Sequence, residues 1–191
     1  MKNILFAALF ISVSVGCQTA PPKDVSYVGV LENITAPSSL EFRKEVYRVG
    51  YSGVPPKRAI VEYYLPDESP KSWRKMLALR LDSAGQKSLE QVKAMQALII
   101  EGGNKAVRAY KSVDGHGIEF IVTARGRQEL NVFRYVDRTN GTVSLQYAEV
   151  ILSRQLDGLE SAKRQDFYLT VRSNAVWGLE AMSIPQIEKR Q

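Results

Sequence analysis

Three stretches in the first half of the chain alternate between apolar and polar positions. Phe42 to Tyr51 is rich in β-formers, Arg58 to Leu65 sets Ala59, Val61, Tyr63 and Leu65 on one face, and Met76 to Leu81 sets Leu77, Leu79 and Leu81 on one side. A period of two predicts strands. Gly53-Val54-Pro55-Pro56 separates the first two, and Pro66-Asp67-Glu68-Ser69-Pro70 ends the second, because proline cannot donate to a strand ladder. Ser72 to Lys75 suggests one helical turn around Trp73. At Ser88-Leu89-Glu90-Gln91 the period changes: the serine can accept from the third helical amide and Gln91 can reach back, which predicts a helix capped by Ser88. Leu89, Val92, Met95 and Ile99 then form an apolar stripe that stops at Gly102-Gly103.

Lys105 to Arg154 predicts four strands joined by tight turns at Asp114-Gly115-His116-Gly117, Arg125-Gly126-Arg127-Gln128 and Asn140-Gly141, an antiparallel meander. Ile118, Phe120, Val122 and Ala124 share one face; Val143, Leu145, Tyr147 and Ile151 share another. A loop formed by Asn140 and Gly141 pairs Arg134 with Tyr147 and Val132 with Glu149, which makes Arg134 and Glu149 diagonal neighbours on an otherwise apolar face. A cross-strand structural ion pair between Arg134 and Glu149 is expected there, half dry under a helix. Asp157-Gly158-Leu159-Glu160 opens a second helix that runs to Met182 before Pro185. The elements define an α+β fold, an antiparallel sheet flanked by helices.

The N-terminus follows another pattern. Lys2 opens a short positive region, Ile4 to Val15 is apolar, and Val15-Gly16-Cys17 closes the run with small residues before the only cysteine in the chain. Twelve helical residues rise roughly 18 Å, short of the roughly 30 Å of a hydrocarbon core, so the segment reads as a signal peptide and not a spanning helix. It resembles the leader of bacterial lipoproteins. That resemblance implies cleavage before Cys17, lipidation of Cys17 with thioether-linked diacylglycerol and palmitate-type acylation, and, because Gln18 and not Asp follows, transport to the outer membrane with the domain facing the periplasm. Gln18 to Ser39, with Pro21, Pro22 and Pro37, reads as an extended tether, though Tyr27 to Leu31 could add an edge strand or dock loosely. The expected organisation is therefore 1–16 signal peptide, 17–39 lipidated cysteine and tether, 40–184 one globular domain, and 185–191 a fraying basic tail.

Composition adds limits. The 191 residues are 45% hydrophobic and 24% charged, enough for a core and against disorder or a coiled coil. Lys and Arg number 26 against 20 for Asp and Glu, a formal charge of +6 that permits contact with anionic surfaces without requiring it.

Candidate chemistry is sparse. Cys17 is committed to lipid and His116 is the only histidine, so no cysteine–histidine pair and no zinc spacing exist. No phosphate-cradling glycine motif occurs. Ser72 and Lys75 form a Ser-x-x-Lys spacing, for which a solvated helical turn is the plainer reading. Asp67-Glu68 reads as a polar turn. Arg125, Arg127, Arg134, Arg138 and Arg154 among Phe133, Tyr135 and Tyr147 invite a nucleic-acid reading that an exported location opposes. No catalytic residue, metal or cofactor is assigned, and no hydrolase activity is expected.

From Tyr47 through Met182 the element order resembles small bacterial lipoproteins with a PsbP-like domain. The echoes are Val-Gly-Tyr at 49–51, Glu-Tyr-Tyr-Leu-Pro at 62–66, Glu-Ser at 68–69, Ser-Trp at 72–73 and Glu-Leu-Asn-Val-Phe-Arg-Tyr at 129–135. The resemblance implies an α/β/α sandwich and a non-catalytic protein-binding or assembly accessory of the cell envelope, in a secretion, transport or stress system. The alternative is a small-ligand carrier or cell-wall enzyme of the periplasm.

Overall fold

The computed structural model describes residues 33–104, 106–124 and 127–190. The signal peptide, Cys17, the 125–126 turn and most of the expected tether lie outside them.

Eight strands form one sheet: β2 (Ser39–Phe42), β3 (Glu45–Gly53), β4 (Arg58–Tyr64), β5 (Lys75–Asp82), β6 (Arg108–Lys111), β7 (His116–Ala124), β8 (Arg127–Arg138) and β9 (Gly141–Ile151). Their spatial order is β2-β3-β4-β5-β9-β8-β7-β6, antiparallel throughout. The alternating stretches and the four-strand meander are thus present. β2 is the strand that the sequence hid: it pairs with β3 through a two-residue turn in which Arg43 and Lys44 have φ of 53° and 67°. Two positive φ angles match the twist of the flanking strands, but without glycine or asparagine the turn carries strain and no sequence signal.

Helix α1 (Ser88–Glu101) packs on one face and α2 (Ser161–Ala181) on the other. On the outer face Val92, Met95 and Ile99 of α1 meet Ile118, Phe120, Phe133 and Tyr135. On the inner face Ala175 and Leu179 of α2 join Tyr47, Val61, Tyr63, Leu77, Leu79, Leu130, Leu145 and Tyr147 in the main core. A fully buried Leu or Val contributes about 1.5–3 kcal/mol, so this face holds most of the fold's stability.

The sheet curls around that core. Phe42 of β2 and Tyr147 of β9 bring ring centroids within 4.7 Å although β3, β4 and β5 lie between their strands. In a flat sheet four strand spacings would hold them about 19 Å apart. The last turns of α2 close the remaining gap. Gly178 abuts Phe42 so tightly that a Cβ would lie 2.6 Å from the ring. Glu180 meanwhile accepts from the Ser112 hydroxyl (2.9 Å) and the Val113 N–H (3.0 Å) at the far edge, beyond β6.

The structure corrects several expectations. The domain does not begin at 40 or end at 184: β1 (Ile34–Thr35) pairs with β10 (Glu188–Lys189), and Ile34 and Ile187 are buried in the main core. One apolar residue amid polar ones gives no periodicity, so both short strands read as linker and tail. Ser72 to Lys75 is not a helical turn, since Ser69 and Ser72 form a β-bridge and Lys75 begins β5. The second helix starts at Ser161, after a 3₁₀ turn at Ser153–Gln155. Ser88 is the first residue of α1 and not its cap; Lys87 takes that position and gives its N–H to Glu90 Oε2 (3.1 Å).

The β8–β9 register also differs. Arg138 pairs with Gly141, which leaves Thr139 and Asn140 as the loop and sets Arg134 opposite Leu145 and Leu130 opposite Glu149. Gly141, with φ of 140°, lies inside β9 against β5: a Cβ there would fall 2.3 Å from the Asp82 carbonyl oxygen. A slip of two residues keeps every side chain on its expected face but separates the intended partners.

Candidate functional site: a cavity beneath helix α2

Arg134 is buried as expected, but its partner is not Glu149. Arg134 Nη2 lies 2.8 Å from Asp114 Oδ2, and Nη1 donates to the carbonyls of Leu179 (2.7 Å) and Met182 (2.6 Å) at the end of α2. Glu149 instead accepts from the Tyr147 hydroxyl (2.8 Å). In place of the cross-strand ion pair, Arg134 caps the end of α2.

His116, placed by sequence in a bland turn, opens β7 and joins Ser88 and Asp137. Ser88 Oγ donates to Asp137 Oδ2 (3.1 Å) and lies 3.0 Å from His116 Nδ1; with the serine proton given to Asp137, His116 is the donor. Asp137 Oδ1 accepts the Ser88 N–H (2.9 Å) at the start of α1. Nucleophilic catalysis needs the imidazole between acid and hydroxyl. Here the hydroxyl is in the middle, and of the three only Asp137 meets a free N–H of α1. Burial pushes the Asp137 carboxyl up, but hydrogen bonds from the Ser88 N–H, Thr142 and the Ser88 hydroxyl outweigh it and hold the group below its ordinary value.

Ser72 and Lys75 do not meet as a dyad. Ser72 Oγ lies 3.0 Å from Ser69 Oγ, and Lys75 Nζ donates to both carboxylate oxygens of Glu45 at 2.8 and 2.9 Å. Trp73 stacks under Arg127, with Cζ 4.9 Å from a ring centroid. On the outer face Arg80 lies over Phe133 at 5.7 Å, and its buried Nη1 finds no hydrogen-bond partner among the described residues. Among those residues no group of His, Cys, Asp and Glu is placed to hold a metal, and no helix is long and apolar enough to cross a membrane.

A cavity of about 790 Å³ lies under the first half of α2. Residues 161–166 of that half are exposed, while Ala175 and Leu179 further on are buried. Gln165, Tyr168, Leu169 and Arg172 roof the cavity, Ile121, Val122, Thr123 and Gln128 floor it, and Gly102 to Asn104, after α1, form one side. Tyr168 donates to Gln128 Oε1 at 2.5 Å, and Asn104 donates to the Ile121 carbonyl, so two walls are locked by hydrogen bonds. Arg172 is fixed at the rim by Glu119, whose Oε1 lies 3.3 Å from Arg172 and 2.6 Å from Arg108. Mixed apolar and amide walls beside a held guanidinium suit an amphipathic group carrying acceptors. Sequence reasoning missed Glu119, Arg172 and Asp114. Glu119 falls on the polar side of an alternating strand, which reads as solvent-facing unless both faces of the strand are covered.

A protein-family model matches residues 34–182, most of the chain, and the protein belongs to that family. The matched span begins at β1, in agreement with the structural boundary. No curated protein and no solved structure matches the chain.

Proposed function

We propose that this protein is a lipid-anchored, non-catalytic binding and assembly accessory of the bacterial cell envelope, held at the outer membrane and facing the periplasm, with the cavity beneath α2 as its binding site. The observation that carries the reading is Val15-Gly16-Cys17, because a small-residue pair before the chain's single cysteine closes a leader-like apolar run. Several acyl chains on Cys17 would give a firm anchor, as each buried methylene contributes about 0.8 kcal/mol. The antiparallel sheet with one helix on each face supports the likeness to PsbP-like lipoproteins. The partner on this reading is another envelope protein.

Mass spectrometry of membrane-purified protein should show acyl mass on Cys17, and Cys17→Ser should release the chain from that anchor. Undiminished membrane partitioning of Cys17→Ser would sink the lipid reading. A second reading, a small-ligand carrier, draws on the cavity volume, which lies in the range of small-molecule sites. A photoreactive residue at Leu169 separates the two: adducts to an envelope protein support the accessory, and a small molecule retained in native mass spectrometry supports the carrier.

A further inference from the structure

The end of the domain opposite the cavity presents apolar surface of a particular kind. Trp177 lies on the outward side of α2 and is 71% exposed, and Val113, in the turn between β6 and β7, is 78% exposed. Glu180, one turn beyond Trp177, accepts the Val113 N–H at 3.0 Å, so the fold fixes the turn beside that stretch of helix. On the other flank the Arg43-Lys44 turn meets α2 at Gly178. Of the carboxylates here, Asp114 is paired with Arg134, Glu180 is hydrogen-bonded to the turn and Glu45 is paired with Lys75. Arg43, Lys44 and Lys111 outnumber the remaining exposed carboxylate, Glu41, so the balance is cationic.

Single exposed apolar residues are ordinary on protein surfaces. A tryptophan held outward among basic side chains is a different case, because an indole is amphipathic and concentrates at the headgroup level of bilayers, while lysine and arginine are drawn to anionic leaflets. We propose that this end of the domain docks on an anionic lipid surface, with Trp177 and Val113 at the headgroup boundary and Arg43 and Lys44 of the adjoining turn beside them. The inference rests on the lipid anchor proposed above. Residues 17–32, fully extended, would span up to about 55 Å, too long a reach to orient the domain by itself. The tether would supply proximity and the patch would supply orientation, leaving the cavity turned away from the bilayer.

The test uses the full acylated chain with Trp73→Phe, so that Trp177 alone reports, in vesicles of phosphatidylethanolamine with about a third phosphatidylglycerol or of phosphatidylcholine alone. Brominated acyl chains should quench Trp177 at least twofold in the anionic vesicles, with a blue-shifted spectrum, and Arg43→Glu with Lys44→Glu should abolish the difference between vesicle types. If Trp73→Phe disturbs the fold, the difference between wild type and Trp177→Phe gives the same quantity. An acylated, vesicle-bound protein whose Trp177 is unshifted and unquenched in both would overturn the docking and leave the anchor standing. A chain without acyl mass would overturn the anchor instead.

Discussion

Arg134 ends a helix whose own sequence provides no stop. The last turn of α2 has no basic residue, and Met182 after it is extended (φ −78°, ψ 136°), so neither a left-handed glycine nor a local cation satisfies the final carbonyls. Unsatisfied carbonyls carry the negative end of the helix dipole, and a guanidinium from β8 meets them there. Breaking a buried, hydrogen-bonded charge arrangement costs about 3–5 kcal/mol. Arg134→Ala should therefore lose roughly that much in urea unfolding, whereas Glu149→Ala should stay near neutral at about 1 kcal/mol or less, the range of a lost side-chain hydrogen bond. Asp137 serves the start of α1 in the same way, and its depressed pKa sets a pH dependence. A carboxylate held below its unfolded value contributes stability above the ordinary range and loses it as pH falls through the folded value. Asp137→Asn should be less stable than wild type at neutral pH by about 1 kcal/mol. The difference should shrink below about pH 4, which acid titrations of both proteins followed by circular dichroism would show.

Elements were legible where one period ruled. Leu77, Leu79 and Leu81, or Val143, Leu145 and Tyr147, alternate because one face meets the main core while the opposite face carries small or polar residues such as Ala78, Ser144 and Gln146, and the structure places each triplet in the main core. Turns were legible where glycine or proline marked them. Arg43-Lys44 left no such mark, so β2 and β3 were merged. The register at Asn140-Gly141 slipped because a glycine that signals a loop was needed inside β9, under the Asp82 carbonyl. The cavity could not be read at all, as it depends on how α2, β7 and the segment after α1 come together in space. The strain at the β2–β3 turn gives a direct check: Lys44→Gly relieves a positive φ at a residue with no polar partner among the described residues and should raise stability by about 0.5–1 kcal/mol. A lowered melting temperature would show that the lysine side chain contributes more than its backbone costs.

At the scale of the whole molecule, sequence reasoning placed the strands but not the curl that brings β2 onto β9, because curvature is set by twist accumulated over eight strands and by the plug that fills the concave side. It also lost both ends of the domain. Truncation after Ile184 removes Ile187, 2% exposed, along with the partner of β1. Losing one buried isoleucine costs about 2–5 kcal/mol, so the shortened chain should melt clearly lower in calorimetry, whereas a true tail would be removed without effect. The pairing of β1 with β10 has a mechanical consequence as well. Tension entering from the residues before Asn33 reaches the domain first at Ile34–Thr35, a strand of two residues, and peels it from β10 before loading the sheet. The two-residue ribbon is the weak link in series with the eight-stranded body. A chain pulled from its N-terminal side would lengthen by a short, reversible step at low force while the core and the cavity beneath α2 stayed closed.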